Sequence, residues 1–344
     1  MGASAARRTW KVHKSALNKV RKVEENLGVS LDFPWGSLSV VNFILGCSME
    51  DLKASTVRNY LSQVKKAHLQ ADVLWDPDMA IPNALIKGMS NTEPGKRKRI
   101  AVTPKMLMGF WEDLKSKRKF WPQHDIRLMW MLICFLWSGS FRVSEMLAPT
   151  STGFIEEETF CWNRLSEMDG AIAGSRARWL SVKLLRPKEH REGRGGVNVE
   201  LFELGPETRW CPVRALEKFK KDCVVKKERE PVFRLASGKN LTADMLNSYI
   251  KSVATLLGGY PSDSGVTSHS FRAGIVSLMG AMGEAEDLIK TVGCWTSDSW
   301  MLYAKSGRSV QLSDQMRIQK KAAEDFRSWR PVPVMVEADA EARE

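Results

Sequence analysis

The spacing of apolar residues in the first third of the chain is typical of amphipathic helices. Within Ser55–Leu69 the apolar side chains recur every three to four residues and so share one helix face: Val57, Tyr60, Leu61, Val64 and Ala67. Ser55 is the expected N-cap, because its hydroxyl can accept from a free backbone N–H of the first turn. Two further helices are predicted at Trp10–Asn26 and Ser37–Gly46. The pattern predicts a helical N-terminal region.

A long apolar run follows in the middle of the chain. Helical spacing predicts helices at Thr103–Lys117 and Asp125–Gly139. The second of these contains the most apolar stretch, Leu128–Gly139. This stretch is shorter than the roughly 20 uncharged residues that a membrane-spanning helix needs. We therefore expect a buried helix and no membrane partner.

Strand patterns appear only after these helices. Three strands are predicted, at Thr159–Leu165, Trp179–Leu185 and Val197–Leu204, and the last alternates apolar and polar residues. The polar, glycine-rich segment Arg186–Gly196 predicts a hairpin turn between the second and third strands. Helical patterns return beyond about Ala243. Together these elements predict an α+β fold that is mostly helical and carries a small antiparallel sheet.

The clearest break in the chain is Asn91–Ile100, which combines Pro-Gly with a basic run and little apolar content. The run consists of Lys96, Arg97, Lys98 and Arg99. We interpret the segment as a basic linker, and a nuclear localisation signal fits the same residues. This divides the chain into a helical N-terminal domain at 1–90, the linker at 91–100 and a larger domain at 101–330. The acidic tail at 331–344 is predicted to be disordered.

The charge balance points to a polyanionic partner. The chain has 52 Lys and Arg against 40 Asp and Glu, a formal net charge of +12, and residues 1–100 hold +7 of this excess. Such a balance supports phosphate contacts with nucleic acid. The polar face of Ser55–Leu69 carries Arg58, Lys65 and Lys66, which makes these residues candidates for DNA contact. A solvated helix face explains the same three side chains without any DNA.

The six cysteines lie far apart and form no Cys-x-x-Cys pair. This spacing argues against a disulfide framework and against a zinc module, and it favours free thiols in a reducing compartment.

The candidate chemistry is spread over four places between residues 142 and 303. They contribute these residues: Arg142 and Glu145, Lys188, His269 and Arg272, and Trp295 and Tyr303. Taken singly, each has an ordinary structural explanation, such as a pair between Arg142 and Glu145 or a buried aromatic ring at Tyr303. Their order and spacing carry the signal.

The order Arg, Lys, His-x-x-Arg, Gly-x-Trp and Tyr resembles the catalytic set of the tyrosine recombinases (the phage-integrase family), which includes Cre and lambda integrase. The resemblance extends to about residue 320. The short step from Trp295 to Tyr303 and the Trp-Thr-Ser-Asp sequence are similar to recombinases of eukaryotic DIRS, Ngaro and Crypton elements. Trp295 stands where many members have His, as it does in Cre.

The resemblance implies roles for these residues. Tyr303 would attack a DNA phosphodiester and form a 3′-phosphotyrosine, without metal or other cofactor. Arg142 and Arg272 would hold the phosphate oxygens, since planar guanidiniums bind them in pairs. His269 would accept a proton or bond the phosphate, and Lys188 would protonate the leaving 5′ oxygen. Glu145 would orient Arg142 or support His269, although a plain surface salt bridge fits it equally well.

The resemblance also implies partners. Family members act as tetramers on two DNA duplexes, so we expect recombination-site DNA, a homo-oligomer and a nuclear location. The segment Val310–Trp329 would dock on a neighbouring subunit or pack on its own domain. Two alternatives are a domesticated DNA-binding protein without activity and a type IB topoisomerase. The presence of all six candidate catalytic residues argues against the first, and the two-domain layout argues against the second.

Overall fold

The computed structural model describes residues 7–93, 100–172, 174–185, 196–221, 227–256, 266–281 and 320. The chain divides into two compact units, Met1–Lys96 and Arg97–Glu344. The boundary between them falls inside the segment interpreted as a linker. Several predicted features lie outside the described residues, among them the hairpin turn at 186–195 and the acidic tail.

Within residues 7–93 the first unit contains four helices: α1 Arg7–Leu27, α2 Ser37–Met49, α3 Ala54–Gln70 and α4 Ala80–Thr92. The three helices predicted from apolar spacing are confirmed, and α4 was not predicted. The helices enclose one hydrophobic core, to which α2 contributes Val40, Phe43 and Ile44 and α3 contributes Val57 and Leu61. These buried positions follow the helical period, which is why the pattern could be read from sequence.

The start of α3 differs from the prediction. Ser55 is not its N-cap; the cap position is Lys53, which has an extended backbone and no side-chain cap bond. The backbone N–H of Ala54 instead donates to the Glu93 carboxylate, just beyond α4. A side chain distant in sequence thus satisfies the N–H of the first residue of α3, and Ser55 lies inside the helix. Because α4 runs to Thr92, the first two residues of the predicted linker are helical.

The second unit combines helices with one sheet. Its helices are α5 Pro104–Ser116, α6 Gln123–Ser138, α7 Val143–Met146, α8 Pro212–Lys220, α9 Ala243–Leu256 and α10 His269–Ala281, with 3-10 turns at Lys117–Lys119 and Trp162–Arg164. Its strands are β1 Leu165–Ile172, β2 Ser175–Leu184 and β3 Val197–Phe202. They form an antiparallel sheet in the order β1-β2-β3, with Leu165 opposite Val182 and Val182 opposite Val199. The predicted α+β class with a small antiparallel sheet is confirmed.

The first predicted strand, Thr159–Leu165, was wrong. Cys161 forms only an isolated bridge with Pro231, and Trp162–Arg164 is a 3-10 turn before β1 begins. The bridge is flanked by two hydrogen bonds, from the Trp162 N–H to the Glu230 carbonyl and from the Val232 N–H to the Phe160 carbonyl, and the pairing does not extend into a strand. Phe160 and Cys161 are buried in the core, which explains the apolar pattern that suggested a strand. Helix α8 was not predicted.

Helix α6 is the centre of the second unit. Every side chain from Leu128 to Ser138 is buried, which confirms the predicted buried helix. It packs against α5, α8 and α10. No helix in the described ranges is both long and apolar enough to cross a bilayer. The helix positions the candidate site, because the chain leaves its C-terminal end directly toward Arg142.

Candidate active site

A tight turn after α6 positions Arg142. Ser140, in this turn, is buried and has φ of +50°, a left-handed conformation that non-glycine residues adopt rarely. A Cβ on Gly139 would lie 2.2 Å from Cε2 of the buried Phe141 ring, so only glycine fits there. Such backbone strain persists where the surrounding packing enforces it, and it is frequent at functional sites. The turn delivers Arg142 to the N-terminus of α7.

Glu145 holds Arg142 at two points. The backbone N–H of Arg142 donates to Oε2 of Glu145 at 2.8 Å, and Nη1 of its guanidinium donates to Oε1 at 3.1 Å. The Arg142 side chain is 19% exposed and that of Glu145 is 11% exposed. One carboxylate thus fixes both the backbone and the guanidinium of Arg142. This contact contains the salt bridge considered from sequence and also orients the arginine.

The first turn of α10 carries the other two described candidates. His269 is the first residue of the helix and is exposed, whereas Arg272 is only 2% exposed. Their spacing of three residues places them on neighbouring positions of one helix face. Burying a guanidinium is costly in free energy unless it interacts with polar or anionic groups. Arg272 is therefore unsuited to a purely solvated role.

Hydrogen bonds fix the start of α10. The backbone N–H of Thr267 donates to Oγ of Ser270 at 3.0 Å, and that of Ser268 donates to Oδ1 of Asn247 in α9 at 2.8 Å. The backbone N–H of His269 donates to Oγ1 of Thr267 at 3.3 Å. The bond from His269 satisfies a backbone donor that the first turn of α10 leaves open, and the other two fix the residues just before the helix. They hold the turn that carries His269 in a defined position.

Gly274 brings α10 against the end of α6. A Cβ on this glycine would lie 2.1 Å from the Val102 carbonyl oxygen and 2.5 Å from Cζ3 of Trp137. The backbone N–H of Val102 also donates to the Ser270 carbonyl at 2.9 Å. Trp137 is the penultimate residue of α6. The N-terminal half of α10 therefore lies at the same end of α6 as the turn that leads to Arg142.

We call the residues at this end, Arg142, Glu145, His269 and Arg272, the arginine corner. Two guanidiniums and one imidazole can bind the oxygens of a phosphodiester and stabilise charge that develops on them. Glu145 offsets part of the positive charge at Arg142. In the described part of the chain no three His, Cys, Asp or Glu side chains form a group that could hold a metal ion.

Three predicted catalytic residues, Lys188, Trp295 and Tyr303, lie outside the described residues, and their roles stay predictions. The structure does assign one other tyrosine to the core. Tyr249 is buried, and its hydroxyl donates to the Phe110 carbonyl at 3.3 Å. Burial and the nearby Asp113 carboxylate raise the pKa of Tyr249 far above its usual value. This makes Tyr249 unsuited to act as a nucleophile.

The predicted DNA-contact residues of the first unit lie on α3. Arg58, Lys65 and Lys66 are exposed, opposite the buried face of the helix. Arg58 donates from Nη2 to Oγ of Ser90 in α4 at 3.4 Å. The basic run 96–99 and the segment 310–329, apart from residue 320, lie outside the described residues. Contact between any of these residues and DNA stays a prediction.

Sequence reasoning missed the residues that support the corner. Gly274 carried a signal, because glycine inside a helical pattern disfavours the helix unless close packing requires it. Asn247 and Ser140 carried none: their roles depend on the positions of elements that are distant in sequence or on a backbone conformation that composition does not reveal.

Known structures with a similar fold are integrases in complex with DNA. The integrase of transposon Tn1549 with transposon right-end DNA superposes with a TM-score of 0.52 at 14% identity, covering 92% of this chain and 95% of that chain. The lambda integrase dimer on a COC′ core site superposes with a TM-score of 0.52 at 12% identity, covering 89% of this chain and 91% of that chain. The Tn1549 integrase with circular-intermediate DNA superposes with a TM-score of 0.50 at 15% identity, covering 91% of this chain and 95% of that chain.

No protein-family model matches the sequence, and no curated protein sequence matches it either. At these identities the structural likeness shows the fold alone. The chain has the fold of the tyrosine recombinase integrases, as the sequence resemblance implied. The finer resemblance to Cre and to DIRS, Ngaro and Crypton recombinases stays a prediction.

Proposed function

We propose that the protein is a site-specific DNA recombinase that cuts and rejoins DNA strands through Tyr303. The observation that carries the proposal is the arginine corner: on an integrase fold, two arginines and a histidine come from separate elements to one end of α6. A salt bridge or a buried core histidine would explain one of these residues. A phosphate site explains the set.

In the proposed reaction the Tyr303 oxygen attacks the phosphorus in line with the leaving 5′ oxygen. The bond from phosphorus to Tyr303 forms as the bond from phosphorus to the 5′ oxygen breaks. The DNA 3′ end becomes a phosphotyrosine. Lys188 donates a proton to the 5′ oxygen, and His269 accepts the proton of the tyrosine hydroxyl. Attack by another 5′-hydroxyl reverses these steps and restores Tyr303.

The arginines act on the transition state. Phosphoryl transfer spreads negative charge over the non-bridging oxygens, and fixed guanidiniums stabilise that charge. The positive surroundings also favour ionisation of a tyrosine, whose pKa is otherwise about 10. The covalent intermediate conserves the energy of the phosphodiester, so rejoining needs no ATP. We propose that the reaction uses no metal ion, because the guanidiniums supply the cationic groups.

The proposed substrate is duplex DNA bearing the ends of a mobile element, acted on in the nucleus during integration or transposition. The similar structures support a DNA substrate, since they are integrases bound to DNA, one of them a dimer. Exchange of both strands between two duplexes needs four active sites. We therefore propose a tetramer on DNA, with 310–329 as the segment that docks on a neighbour.

Covalent capture tests the proposal. The full chain is incubated in EDTA with supercoiled plasmid and with nicked duplexes that carry candidate element ends, and adducts that survive SDS are counted. We expect an adduct in the native chain and none in Tyr303→Phe. An adduct that persists in Tyr303→Phe would disprove the assigned nucleophile. Tight binding without any adduct would favour a DNA-binding protein that has lost its activity.

Oligomeric state separates a recombinase from a topoisomerase. A type IB topoisomerase would relax supercoils as a monomer, whereas a recombinase should form adducts within an assembly on its sites. Light scattering of the protein on nicked sites gives the number of subunits. A monomer that relaxes plasmid at the rate of adduct formation would contradict the recombinase proposal.

A further inference from the structure

A second surface, at the other end of α6, combines exposed positive charge with an exposed aromatic ring. We call it the aromatic–basic patch and define it as Lys115, Lys117, Arg118, Lys119, Phe120, Trp121 and Lys218. Most of it is the short segment that joins α5 to α6, including the 3-10 turn Lys117–Lys119. The segment 115–121 contains four basic residues and no acidic one.

The patch carries charge that its own acidic neighbours do not neutralise. Lys115 pairs with Glu112 at 2.6 Å, and Lys117 pairs with Asp113 at 3.4 Å. The next two residues, 118 and 119, are exposed cations with no ion pair among the described residues. The turn therefore presents exposed positive charge directly beside the aromatic residues that follow it.

A separate element adds to this charge. Nζ of Lys218, in the last turn of α8, lies 6.0 Å from the centre of the Trp111 ring, and Nζ of Lys115 lies 5.9 Å from the same ring. Lys218 is exposed and makes no ion pair within the described ranges. The packing of α8 against α6 thus places a third exposed cation beside α5.

The aromatic part of the patch is held by its backbone. Phe120 is 84% exposed, yet its N–H donates to the Lys117 carbonyl at 2.9 Å. The Trp121 N–H donates to the same carbonyl at 2.9 Å, and Nζ of Lys117 lies 5.6 Å from the Trp121 ring. Trp121 also packs on Tyr249, which fixes the end of the turn. The Phe120 ring is left open on a turn that is already ordered.

The patch is separate from the arginine corner. Helix α6 has 16 residues, which corresponds to a length of about 24 Å. The patch precedes its first residue, Gln123, whereas Arg142 follows its last residue, Ser138. A phosphodiester bound at the arginine corner is therefore too far away to contact the patch. One nucleic-acid strand could reach both sites only by running along the protein surface between them.

We propose that the aromatic–basic patch binds single-stranded nucleic acid, with a base stacked on Phe120 and phosphates beside Arg118, Lys119 and Lys218. An exposed ring beside exposed cations is the arrangement that binds unpaired bases and their backbone together. Duplex DNA would use the cations only, because its base faces are already stacked. An anionic membrane surface is a poorer match, since interfacial binding uses an amphipathic helix and this segment is a three-residue turn.

Binding of an oligothymidine of about 20 nucleotides to the full chain tests the proposal. Fluorescence anisotropy should show Phe120→Ala about tenfold weaker than the native chain, whereas Phe120→Tyr, which keeps the stacking ring, should bind like the native chain. The double variant Arg118→Ala/Lys119→Ala should lower the slope of log affinity against log salt by about 1.4, the value for two lost single-strand phosphate contacts. Lys239→Ala/Lys251→Ala, which removes two exposed lysines outside the patch, is the matched control.

Three results with the Phe120→Ala variant would overturn the proposal. The variant could bind the oligonucleotide as tightly as the native chain does. It could weaken duplex and single strand equally. It could instead lose binding to vesicles that contain anionic phospholipid while keeping the oligonucleotide, which would identify a lipid surface. Ultraviolet crosslinking of the oligonucleotide should map to residues 117–121, and a crosslink confined to other segments would also count against the patch.

This test is independent of the recombinase proposal. Phe120→Ala should still form the Tyr303 adduct on nicked duplex, because the patch and the corner lie at opposite ends of α6. Tyr303→Phe should still bind oligothymidine. Each proposal can therefore fail while the other stands. Circular dichroism and thermal melting of the Phe120 variants check that the fold is unchanged, which is expected for a side chain so exposed.

Discussion

The two bonds from Glu145 to Arg142 predict that this carboxylate positions the guanidinium for catalysis. Glu145→Ala removes both acceptors and frees the arginine side chain. Hydrogen bonds to charged groups contribute roughly 1.5–3 kcal/mol, so we expect the rate of adduct formation at saturating DNA to fall about 10- to 100-fold. DNA affinity should change far less, because the cation remains. Single-turnover capture on nicked duplex measures the rate, and anisotropy measures the affinity.

Two variants serve as controls for Glu145. Glu145→Gln keeps one carbonyl acceptor, so its rate of adduct formation should lie between the rates of the native chain and the alanine variant. Asp169→Asn weakens the exposed pair between Asp169 and Arg176 in the β1–β2 hairpin, at 2.9 Å, and should leave the rate unchanged. If Glu145→Ala lowered only the melting temperature and left the rate intact, Glu145 would be a structural residue of α7 alone.

Gly274 predicts a large loss of stability for the smallest substitution. The Cβ in Gly274→Ala would collide with the Val102 carbonyl and the Trp137 ring, and a backbone oxygen cannot rotate away. Overpacking of this kind costs roughly 1–3 kcal/mol of unfolding free energy or more. We expect the loss to appear in chemical denaturation of the full chain, together with a lower adduct rate, because α10 carries His269 and Arg272.

Gly88 provides the matched control for Gly274. It is also a helical glycine, but a Cβ there would meet no atom within 4 Å. Gly88→Ala should therefore stabilise the chain by about 0.5–1 kcal/mol, the helix preference of alanine over glycine. Equal effects of the two substitutions would show that helix propensity, and not the close approach of α10 to α6, determines the result at Gly274.

Among the elements, those with a strong local pattern were predictable and those fixed by distant partners were not. The unbroken apolar run of α6 could be read from sequence because burial on all sides needs no partner to be known. The start of β1 could not, because it depends on where the chain begins to pair with β2, at Leu165 opposite Val182, while the apolar residues just before it belong to the core. The start of α3 was misassigned for a similar reason, because the N–H of its first residue, Ala54, donates to Glu93, which lies beyond the next helix.

Contact between α1 and α2 predicts a pH-dependent stability of the first unit. Glu50, just after α2, accepts from Nζ of Lys19 at 2.6 Å, Nζ of Lys22 at 3.1 Å and Nδ2 of Asn26 at 3.0 Å. The hydrogen bond from Lys19, then that from Lys22, lowers the pKa of Glu50 below its usual value of 4.5. The folded state therefore binds the proton less readily than the unfolded state does.

The sign of this pKa shift fixes the expected pH profile. The contribution of Glu50 to the free energy of unfolding is fully present well above pH 4.5. It is lost as the pH falls through the lowered pKa of Glu50 in the folded protein. Glu50→Gln should lower the melting temperature at pH 7, and the difference from the native chain should shrink in acid. Calorimetry from pH 7 to pH 3 measures it. A difference that stays constant over this range would refute the role of the carboxylate charge.

For the molecule as a whole, the candidate catalytic set depends on contacts between segments that are far apart in sequence. The order of Arg142, His269 and Arg272 was readable, because it follows a family pattern. Their common location at one end of α6 was not, because it requires Gly274 against Trp137 and Val102 bonded to Ser270. Chemistry could be predicted from residue types, whereas the geometry that supports it comes from long-range packing.

The exposed face of α3 predicts that the first unit contributes to DNA affinity independently of the arginine corner. Arg58, Lys65 and Lys66 lie on the solvent side of the helix. Each phosphate contact to duplex DNA contributes about 0.9 to the slope of log affinity against log salt. The triple alanine variant should therefore reduce that slope by about 2.7 on duplex DNA. Anisotropy over a range of salt concentrations measures it in the full chain carrying Tyr303→Phe, which prevents cleavage.

The matched control removes three exposed lysines of the second unit, Lys227, Lys239 and Lys251, with the same change in net charge. If the α3 side chains contact phosphates, their loss should flatten the salt dependence much more than the control does. If both triples lower the slope equally, the effect comes from net charge alone, and α3 is a solvated surface. A slope unchanged in the α3 variant would place the duplex contacts of this protein on other residues.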